Sequence, residues 1–464
     1  MSVLREPPAK VGAVVFIAIA LLVGLIGAID RGIDNDPDWR DLQFETRWTW
    51  QHGHTAPGTA MFGYLPATTF ALLPFAAWTP APLGVLLYIA TNVAALGLTL
   101  RLLQHWRRGD EARGPVVVAP VALAAINLAH ALQSNQTTLW TLALCVGGLT
   151  LLHTARPITG GFLVGAAAMI KVMPGLLVIY LLLRAQWRAL GGFLAAVVFI
   201  NVVPSVLFFG IDGAIAEHRL WLQRAAWHSN ERMIEDPFLR VHRHGTNSAL
   251  STVLTRWLRA LPDARRQVIL YGSPPPEVVE RYRAELAAGE VLTLDPMPPH
   301  DGAAWAEKRV DLSWVPRFHI ADLAATTVRL IWAAPLLIAF AALFWWTWRT
   351  RRAAPQDWPA ISALWMLMMF WPSPMLRHYY LAWALPALVV VWNELLVGRS
   401  NAAPTRRWAI AAVVAWAIAM LAMGSKELRW YGVHVFALAL LTIACAQAWS
   451  MSLRRGVATA GARP

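Results

Sequence analysis

Two observations predict that this chain is an all-α polytopic membrane protein, a bundle of about twelve transmembrane helices. Of the 464 residues, 57% are hydrophobic and only 14% are charged, a balance far from that of soluble domains. The Lys and Arg residues also lie in short loops between apolar runs, as cytoplasmic connections do. The formal net charge of +13 therefore indicates membrane topology, and nucleic-acid binding is not expected.

The first span is predicted over residues 11–29. This apolar run follows Arg5 and Lys10 as a signal peptide would, but no clear small-residue cleavage site follows it, so we expect a retained helix. Eleven further apolar runs predict spans, at 82–103, 115–131, 136–153, 158–171, 174–184, 190–210, 322–346, 356–371, 379–396, 407–423 and 431–449.

Five basic loops between these spans are predicted to be cytoplasmic. They contain Arg107, Arg108 and Arg113, then Arg156, then Arg184 and Arg188, then Arg349, Arg351 and Arg352, then Arg399, Arg406 and Arg407. Because each span takes the chain to the other side of the membrane, the remaining connections are predicted to lie outside the plasma or inner membrane. They are the acidic loop 30–60, the segment 211–321 and the turns at 133–136, 171, 372–378 and 426. Residues 61–78 are apolar but cannot span without inverting every later loop, so we expect a re-entrant or interfacial segment.

Three regions are expected along the chain. An N-terminal transmembrane module covers 1–210, an extracytoplasmic insertion covers 211–321, and a C-terminal transmembrane module covers 322–464. The insertion predicts a short helix over 277–288 within an elaborated loop, without a core of its own. Spans 158–171 and 174–184 are short for a ~30 Å hydrocarbon core, which predicts tilted half-helices that meet at Lys171 and Pro174.

The loop after the first span carries six of the chain's 27 acidic residues. Exposed carboxylates are often only solvated, and we interpret Asp30, Asp34 and Asp36 in that way. Asp38 and Asp41 alternate with aromatic and apolar residues, a pattern typical of an amphipathic interfacial segment. A partly desolvated carboxylate there can act as a general base on a hydroxyl, and the sequence leaves both candidates open.

Two groups of polar residues are predicted on the same side. Lys171 lies in an apolar run and is costly in lipid unless its ammonium reaches the headgroups or meets an anion such as phosphate. Arg377, His378 and Tyr379 follow a rigid proline turn and have the chemistry to hold a phosphate and a sugar, although His378 alone is equally typical of an interfacial residue.

Asn135 and Gln136 also fall on that side, where amides at a turn between helices are commonly caps. Two cysteines within apolar runs, Cys145 and Cys445, exclude a disulfide framework. No HExxH, Walker-type or GxSxG motif occurs, which argues against zinc hydrolysis, ATP-driven transport and serine hydrolysis. No cofactor is expected to be required. The acidic loop could in principle hold a divalent metal, although no ligand spacing demands one.

Several motifs occur in a characteristic order. The acidic aromatic loop is followed by Tyr64-Leu65-Pro66, by Asn135-Gln136, by a Gly-rich helix ending in Ile170-Lys171-Val172-Met173-Pro174 with a Trp187-Arg188 turn, and by His378-Tyr379-Tyr380-Leu381. Together they resemble the family-87 glycosyltransferases of the GT-C superfamily. The strongest piece is 161–190, and residues 260–315 depart from the family as an insertion.

The resemblance implies a GT-C-type bundle with an interfacial first loop. It implies transfer of a sugar, commonly mannose, from a polyprenyl-phosphate donor to a lipid or glycan acceptor, with inversion. An Asp of the first loop would be the base, which fits Asp38 and Asp41 about equally, and the family's phosphate-binding residues map onto Lys171, Arg377 and His378. The remaining candidate site residues are Asn135, Gln136, Tyr64 and Tyr379.

Two alternatives from other classes remain. A carrier or flippase of lipid-linked sugars without transferase activity would also need a cationic site at the membrane. A non-catalytic scaffold in an envelope assembly is the third. Sugar transfer with release of polyprenyl phosphate distinguishes the enzyme from both.

Overall fold

The computed structural model describes most of the chain, and the structural statements below concern the described residues. They are 8–33, 37–54, 65–106, 118–154, 156–222, 249–260, 266–272, 274–289, 291–292, 305–311, 313, 315–316, 318–351, 358–373, 376–397 and 403–461.

Helices make up most of the described chain. The N-terminal ones are α1 Pro8–Ile33, α2 Pro37–His52, α3 Pro66–Ala76, α4 Ala81–Leu103, α5 Val118–Gln133, α6 Thr138–His153, α7 Pro157–Ile170, α8 Leu177–Leu183, α9 Trp187–Ala196 and α10 Val203–Trp221. After these come α11 Leu250–Leu258, α12 Pro276–Ala287, α13 Ala325–Arg349, α14 Trp358–Met368, α15 Leu385–Val397, α16 Ala403–Leu421, α17 Lys426–Trp430 and α18 Val433–Gly461. Short 3-10 helices cover Gln104–Trp106, Met173–Leu176, His378–Ala384 and Ala422–Gly424, and a π-helical turn covers Val197–Val202.

Each apolar run predicted as a span coincides with a helix. In the part of the chain that the structure describes, six helices are long and apolar enough to cross a membrane, namely Val11–Gly32, Ala81–Trp106, Trp187–Trp221, Ala325–Arg349, Arg406–Gly424 and Val433–Met451. Other apolar helices have only 10–17 residues. The structure is therefore that of a helical, multi-pass membrane protein, while the count of twelve crossings and the GT-C arrangement stay predictions.

Helix α3 corresponds to the segment predicted to be re-entrant or interfacial. Its 11 residues rise only about 16 Å at 1.5 Å per residue, which is too short for a ~30 Å core. It packs against α2 and α4 and most of its side chains are buried. This geometry is consistent with the predicted role.

The long helix Trp187–Trp221 reverses direction at Gly210. Gly210 has φ 73° and ψ 172°, a conformation that suits glycine and breaks the helix. Asn201 Nδ2 and His218 Nε2 are 2.8 Å apart, whereas residues seventeen positions apart on a straight helix would be separated by about 25 Å. The chain therefore turns back at Gly210, where the sequence predicts that the span 190–210 ends.

Glycines let α7 and α9 pack backbone to backbone. A Cβ on Gly161 would lie 1.8 Å from the carbonyl oxygen of Ala189, and one on Gly192 would lie 2.0 Å from that of Ile158. Both distances are far inside van der Waals contact, so any side chain at these positions would force the helices apart. Small residues at helix contacts are the usual means of close packing in membranes, and they account for the Gly-rich 161–190 segment.

Helix α1 is packed into the bundle against α5. A Cβ on Gly24 would lie 2.7 Å from the Cα of Ala129, and Asn135 Nδ2 donates a hydrogen bond to the Ala28 carbonyl at 2.8 Å. These contacts place α1 against the bundle, and its retention stays a prediction.

The insertion contains a small sheet that the sequence analysis did not anticipate. Strands β1 Arg266–Gly272, β2 Val291–Leu292 and β3 Trp305–Asp311 pair in the order β2-β1-β3, with β1 parallel to β2 and antiparallel to β3. The sheet and the predicted helix, observed as α12, bury Val268, Leu270, Val278 and Tyr282 together. The expectation of a loop without its own core was therefore wrong for this unit.

Polar and aromatic residues gather at one end of the bundle, which we call the arginine end. Arg184 Nη1 donates to the Thr350 carbonyl at 3.0 Å. The His153 and Trp358 rings stack with centroids 4.7 Å apart, and Trp106 meets Trp358 edge to face at 5.1 Å. The structure thus brings together the helix ends that adjoin four of the five predicted cytoplasmic loops.

Candidate functional site

Helix α2, predicted as an amphipathic segment after the first span, is anchored to the bundle. Trp39 is 1% exposed and stacks on Tyr88 of α4 with ring centroids 4.7 Å apart. Leu42 is buried in the same hydrophobic cluster, and Arg47 Nε donates to the Ala76 carbonyl at the end of α3. These contacts fix the rotation of α2 about its axis.

The helical register separates the two candidate bases. Position 38 precedes Glu45 by seven residues and Thr49 by eleven, spacings that return to the same helix face, and Glu45 and Thr49 are buried. Position 41 falls between the faces of Glu45 and Trp48, and Trp48 is only half-buried. The backbone therefore places position 38 on the buried face and position 41 at its edge, while the side chains of Asp38 and Asp41 lie outside the described residues.

The buried face of α2 is polar. Gln43, Thr46 and Thr49 are 6%, 0% and 1% exposed. Among the residues that the structure describes, Gln43 Nε2 and both threonine hydroxyls have no hydrogen-bond partner. A buried polar group without a partner costs roughly 1–3 kcal/mol. The polar face is therefore suited to a polar ligand, and the buried carboxylate of Glu45 beside it is a site candidate that the sequence analysis did not single out.

Lys171 ends α7 with an extended backbone at φ −137° and ψ 129°, just before the 3-10 helix that contains Pro174. The lysine is 3% exposed. Its Nζ donates to Thr138 Oγ1 at 3.3 Å and lies 4.2 Å from the ring centroid of Tyr380 and 5.4 Å from that of Tyr379. The ammonium is thus directed into the protein, and the alternative in which it snorkels to the headgroups was wrong.

Hydrogen bonds from neighbouring elements hold this helix break. Thr68 Oγ1 of α3 donates to the Ile170 carbonyl at 3.1 Å. Trp383 Nε1 of the 3-10 helix His378–Ala384 donates to the Thr138 carbonyl at 2.9 Å. Four elements, α3, α6, α7 and this 3-10 helix, therefore meet around the ammonium of Lys171, at the end of the bundle opposite the arginine end. We call it the lysine end.

The turn between α5 and α6 lies at the lysine end. Asn135 has a positive φ of 46° and bonds the end of α1 through Ala28, which gives it a structural role. Gln136 is 6% exposed and remains a candidate for ligand contact. Tyr64 lies outside the described residues.

The 3-10 helix His378–Ala384 separates two of the predicted phosphate ligands. Successive side chains diverge by about 120° on a helix with three residues per turn. Tyr379 and Tyr380 contact Lys171, whereas the ring of His378 contacts those of His130 and His434. Lys171 and His378 therefore lie on different sides of this helix, with the half-buried Arg377 preceding it.

His130 and His434 were missed by the sequence analysis. His130 lies in α5 and His434 near the start of α18, each within an apolar run that looks like an ordinary span. Their centroids lie 6.3 Å and 5.1 Å from that of His378. A titratable residue inside an apolar run is the one signal that could have found them.

Among the described residues there is no group of three or more His, Cys, Asp or Glu side chains placed to hold a metal ion. Of the acidic loop, Asp34 and Asp36 lie outside the described residues.

A comparison with protein families gives one match. The family model of glycosyltransferase family 87 matches residues 62–279. This match includes α3, the turn at Asn135 and Gln136, and the break at Lys171, whereas α2 and the 3-10 helix His378–Ala384 lie outside it. Searches of the curated proteins and of the solved structures returned no significant match. Over residues 62–279 the chain is therefore similar to glycosyltransferase family 87, which supports a membrane glycosyltransferase.

Proposed function

We propose that this membrane glycosyltransferase transfers a hexose, most simply mannose, from a polyprenyl-phosphate donor to a lipid or glycan acceptor outside the cell membrane, with inversion. The observation that carries the proposal is the burial of Lys171 at a helix break. A charged residue buried within a membrane protein is rare and commonly marks the path of a substrate or an ion. The phosphate of a lipid donor fits such a cationic position, and its chain can remain in the bilayer.

The donor phosphate is proposed to bind at the lysine end. Lys171 would contact it directly, and the hydroxyl of Thr138 orients the ammonium. Tyr379, on the same side of the 3-10 helix, and the buried Gln136 are proposed to bound the sugar. Arg377 and His378 are proposed to act on the phosphate from the other side of that helix.

Asp38 is the proposed general base, with Asp41 as the alternative. The register of α2 supports this order because position 38 shares the face of Glu45 and Thr49. A carboxylate on that face is partly desolvated, which raises its proton affinity. General-base catalysis typically contributes 10²–10⁴-fold to a rate.

The proposed reaction is a single displacement. The carboxylate of the base takes the proton of an acceptor hydroxyl as its oxygen attacks the anomeric carbon from the face opposite the phosphate. The new C–O bond forms while the bond between that carbon and the phosphate oxygen breaks. The electron pair leaves with polyprenyl phosphate, whose charge Lys171 stabilises in a site of low dielectric, and no cofactor or metal enters the step.

The test uses the purified full chain with polyprenyl-phosphate mannose, added membrane lipid and glycan acceptors, and measures released polyprenyl phosphate and labelled product. We expect turnover by the wild type and a loss of about 10²–10⁴-fold in Asp38→Asn, with a smaller loss in Asp41→Asn. Asp212→Asn is the matched control, because Asp212 is exposed in α10, and should retain full activity. Anomeric analysis of the product should show inversion.

Two results would contradict the proposal. Full turnover in both Asp38→Asn and Asp41→Asn would remove these residues as bases, whatever the fold. Movement of lipid-linked sugar across proteoliposome membranes without transfer or hydrolysis would identify a carrier instead.

A further inference from the structure

Two polar side chains lie on the buried face of the long helix Trp187–Trp221, and we call them the polar pair. Asn201 and Ser205 are 5% and 0% exposed, and residues four positions apart share one helix face. Among the residues that the structure describes, Asn201 Oδ1 and Ser205 Oγ have no hydrogen-bond partner. Asparagine and serine in membrane helices commonly bond a neighbouring helix, so a buried pair without such bonds favours a role in ligand binding over one in packing.

The π-helical turn Val197–Val202 keeps Asn201 on the face that packs against α7. Ala196 lies on that face, because a Cβ on Gly165 of α7 would lie 2.8 Å from the Cβ of Ala196. Asn201 follows Ala196 by five residues, and the hydrogen bonds of a π-helix join residues at that spacing. Single π-helical turns are frequent at functional sites. The polar pair therefore faces the bundle and not the lipid.

The packing of α7 against α9 places the polar pair level with Lys171. A Cβ on Gly161 would contact the carbonyl oxygen of Ala189, and a Cβ on Gly165 would contact that of Phe193. Each residue of α9 thus lies beside the α7 residue 28 positions earlier. The same offset sets the first residue of the polar pair beside the 3-10 helix that follows Lys171, and the π-helical turn packs against both α7 and α3. The polar pair and Lys171 therefore lie at the same end of the bundle.

A chain of hydrogen bonds fixes which atom of Asn201 is left for a ligand. The reversal at Gly210 returns His218 to Asn201, where Nδ2 of the amide and Nε2 of the ring are 2.8 Å apart. His218 Nδ1 lies 2.7 Å from the Ala214 carbonyl, which only accepts, so Nδ1 carries the proton and Nε2 of the neutral ring accepts from the amide. Asn201 Oδ1 is then an acceptor without a donor in the described part of the chain. Such an acceptor attracts a hydroxyl group and repels a phosphate oxygen.

We propose that the polar pair binds hydroxyl groups of the sugar while Lys171 holds the phosphate of the same lipid. Asn201 Oδ1 accepts from one hydroxyl, and Ser205 Oγ, which can both donate and accept, bonds a second. A site that hydrogen-bonds a hydroxyl of its substrate discriminates strongly against a ligand without it. The inference rests on the proposed function for the lipid-linked sugar and adds sugar recognition by this helix to that of Gln136 and Tyr379.

The test compares two lipids that differ only in the sugar, a short-chain polyprenyl phosphate with and without mannose. Binding of each lipid to the detergent-solubilised full chain is measured for the wild type, Ser205→Ala, Asn201→Leu and Lys171→Met. Thr99→Val is the matched control. Thr99 is also 0% exposed in a membrane helix, but its hydroxyl donates to the Ala95 carbonyl at 2.8 Å.

We expect Ser205→Ala and Asn201→Leu each to weaken binding of the mannose-bearing lipid about tenfold, the effect of one lost hydrogen bond. Binding of polyprenyl phosphate without mannose should not change in either variant. Lys171→Met should weaken binding of both lipids, and Thr99→Val of neither. Equal binding of the two lipids by the wild type, or unchanged binding of the mannose-bearing lipid in folded Ser205→Ala, would overturn the proposal.

The melting temperature of the ligand-free chain distinguishes a ligand site from a packing role. Ser205 Oγ has no hydrogen-bond partner among the described residues to lose, so Ser205→Ala should keep or raise the melting temperature in detergent, whereas Thr99→Val should lower it. A lower melting temperature in Ser205→Ala would show that this hydroxyl stabilises the fold and would refute its assignment. Because neither assay involves turnover, a chain that recognises the lipid-linked sugar here but transfers it to no acceptor would contradict only the proposed function.

Discussion

The two ends of the bundle differ in how they bury histidine. At the arginine end, His153 Nε2 meets the Tyr180 hydroxyl at 3.1 Å, and Trp106 Nε1 nearby donates to Thr150 Oγ1 at 3.0 Å. At the lysine end, both ring nitrogens of His378 are buried without a hydrogen-bond partner among the described residues.

This difference distinguishes polar groups that stabilise the fold from polar groups that are available to a ligand. A buried polar group with a partner inside the protein adds to stability, whereas one without a partner lowers it. Where a fold retains such a group beside other candidate site residues, as His378 at the lysine end, its partner is expected to come from a ligand there. The comparison therefore predicts that equal substitutions at the two ends affect different properties, sugar transfer at the lysine end and stability at the arginine end.

The largest expected effect follows from Lys171→Met. This change keeps most of the side-chain volume and removes the charge that would stabilise the leaving phosphate, so kcat/KM should fall on the order of 10²–10³-fold. Steady-state release of polyprenyl phosphate measures it. Lys426→Met is the matched control, because Lys426 is exposed near the same end, and should retain activity. Equal losses in the two variants would mean that position 171 has no special role.

A smaller effect is expected from Thr138→Val. The change is nearly isosteric and removes the hydroxyl that accepts from Lys171 Nζ at 3.3 Å. Hydrogen bonds to charged groups contribute about 1.5–3 kcal/mol, so transfer should slow by about tenfold or somewhat more.

Thr150→Val makes the same chemical change at the arginine end, where Thr150 Oγ1 accepts from Trp106. It should lower the melting temperature in detergent without changing KM. If both threonine variants lost activity equally, or neither did, the distinction between the two ends would fail.

The sequence predicted the helices and singled out Lys171 as a candidate site residue for the same physical reason. A long apolar run is stable mainly within lipid and therefore predicts a membrane helix. A lysine inside such a run, followed three residues later by a proline, is costly there and is therefore easily recognised as unusual. The family resemblance over 161–190 was confirmed by a match that includes this block. Local features of the chain were sufficient for both.

The grouping of His130, His378 and His434 and the small sheet could not be predicted in that way. His130 and His434 are single titratable residues in apolar runs, and only the folded chain brings α5 and α18 to His378 in the 3-10 helix. Strand β2 has only two residues, too few for a pattern of alternation. The register of α2 likewise became informative only once Trp39 fixed which face is buried.

The smallest expected effect on sugar transfer follows from His153→Gln. An unchanged rate of transfer in this variant would be the informative result. His153 contacts the Tyr180 hydroxyl and stacks on Trp358, so the substitution removes a ring contact and disturbs one buried hydrogen bond. Stability should fall by about 1–3 kcal/mol, seen as a lower melting temperature in detergent, while KM and kcat at 25 °C stay within twofold of wild type. His378→Gln, the same substitution at the lysine end, should instead leave the melting temperature nearly unchanged, since neither ring nitrogen of His378 has a hydrogen-bond partner among the described residues. A larger loss of stability in His378→Gln than in His153→Gln would show that His378 is structural, and the contrast between the two ends would no longer indicate where ligands bind.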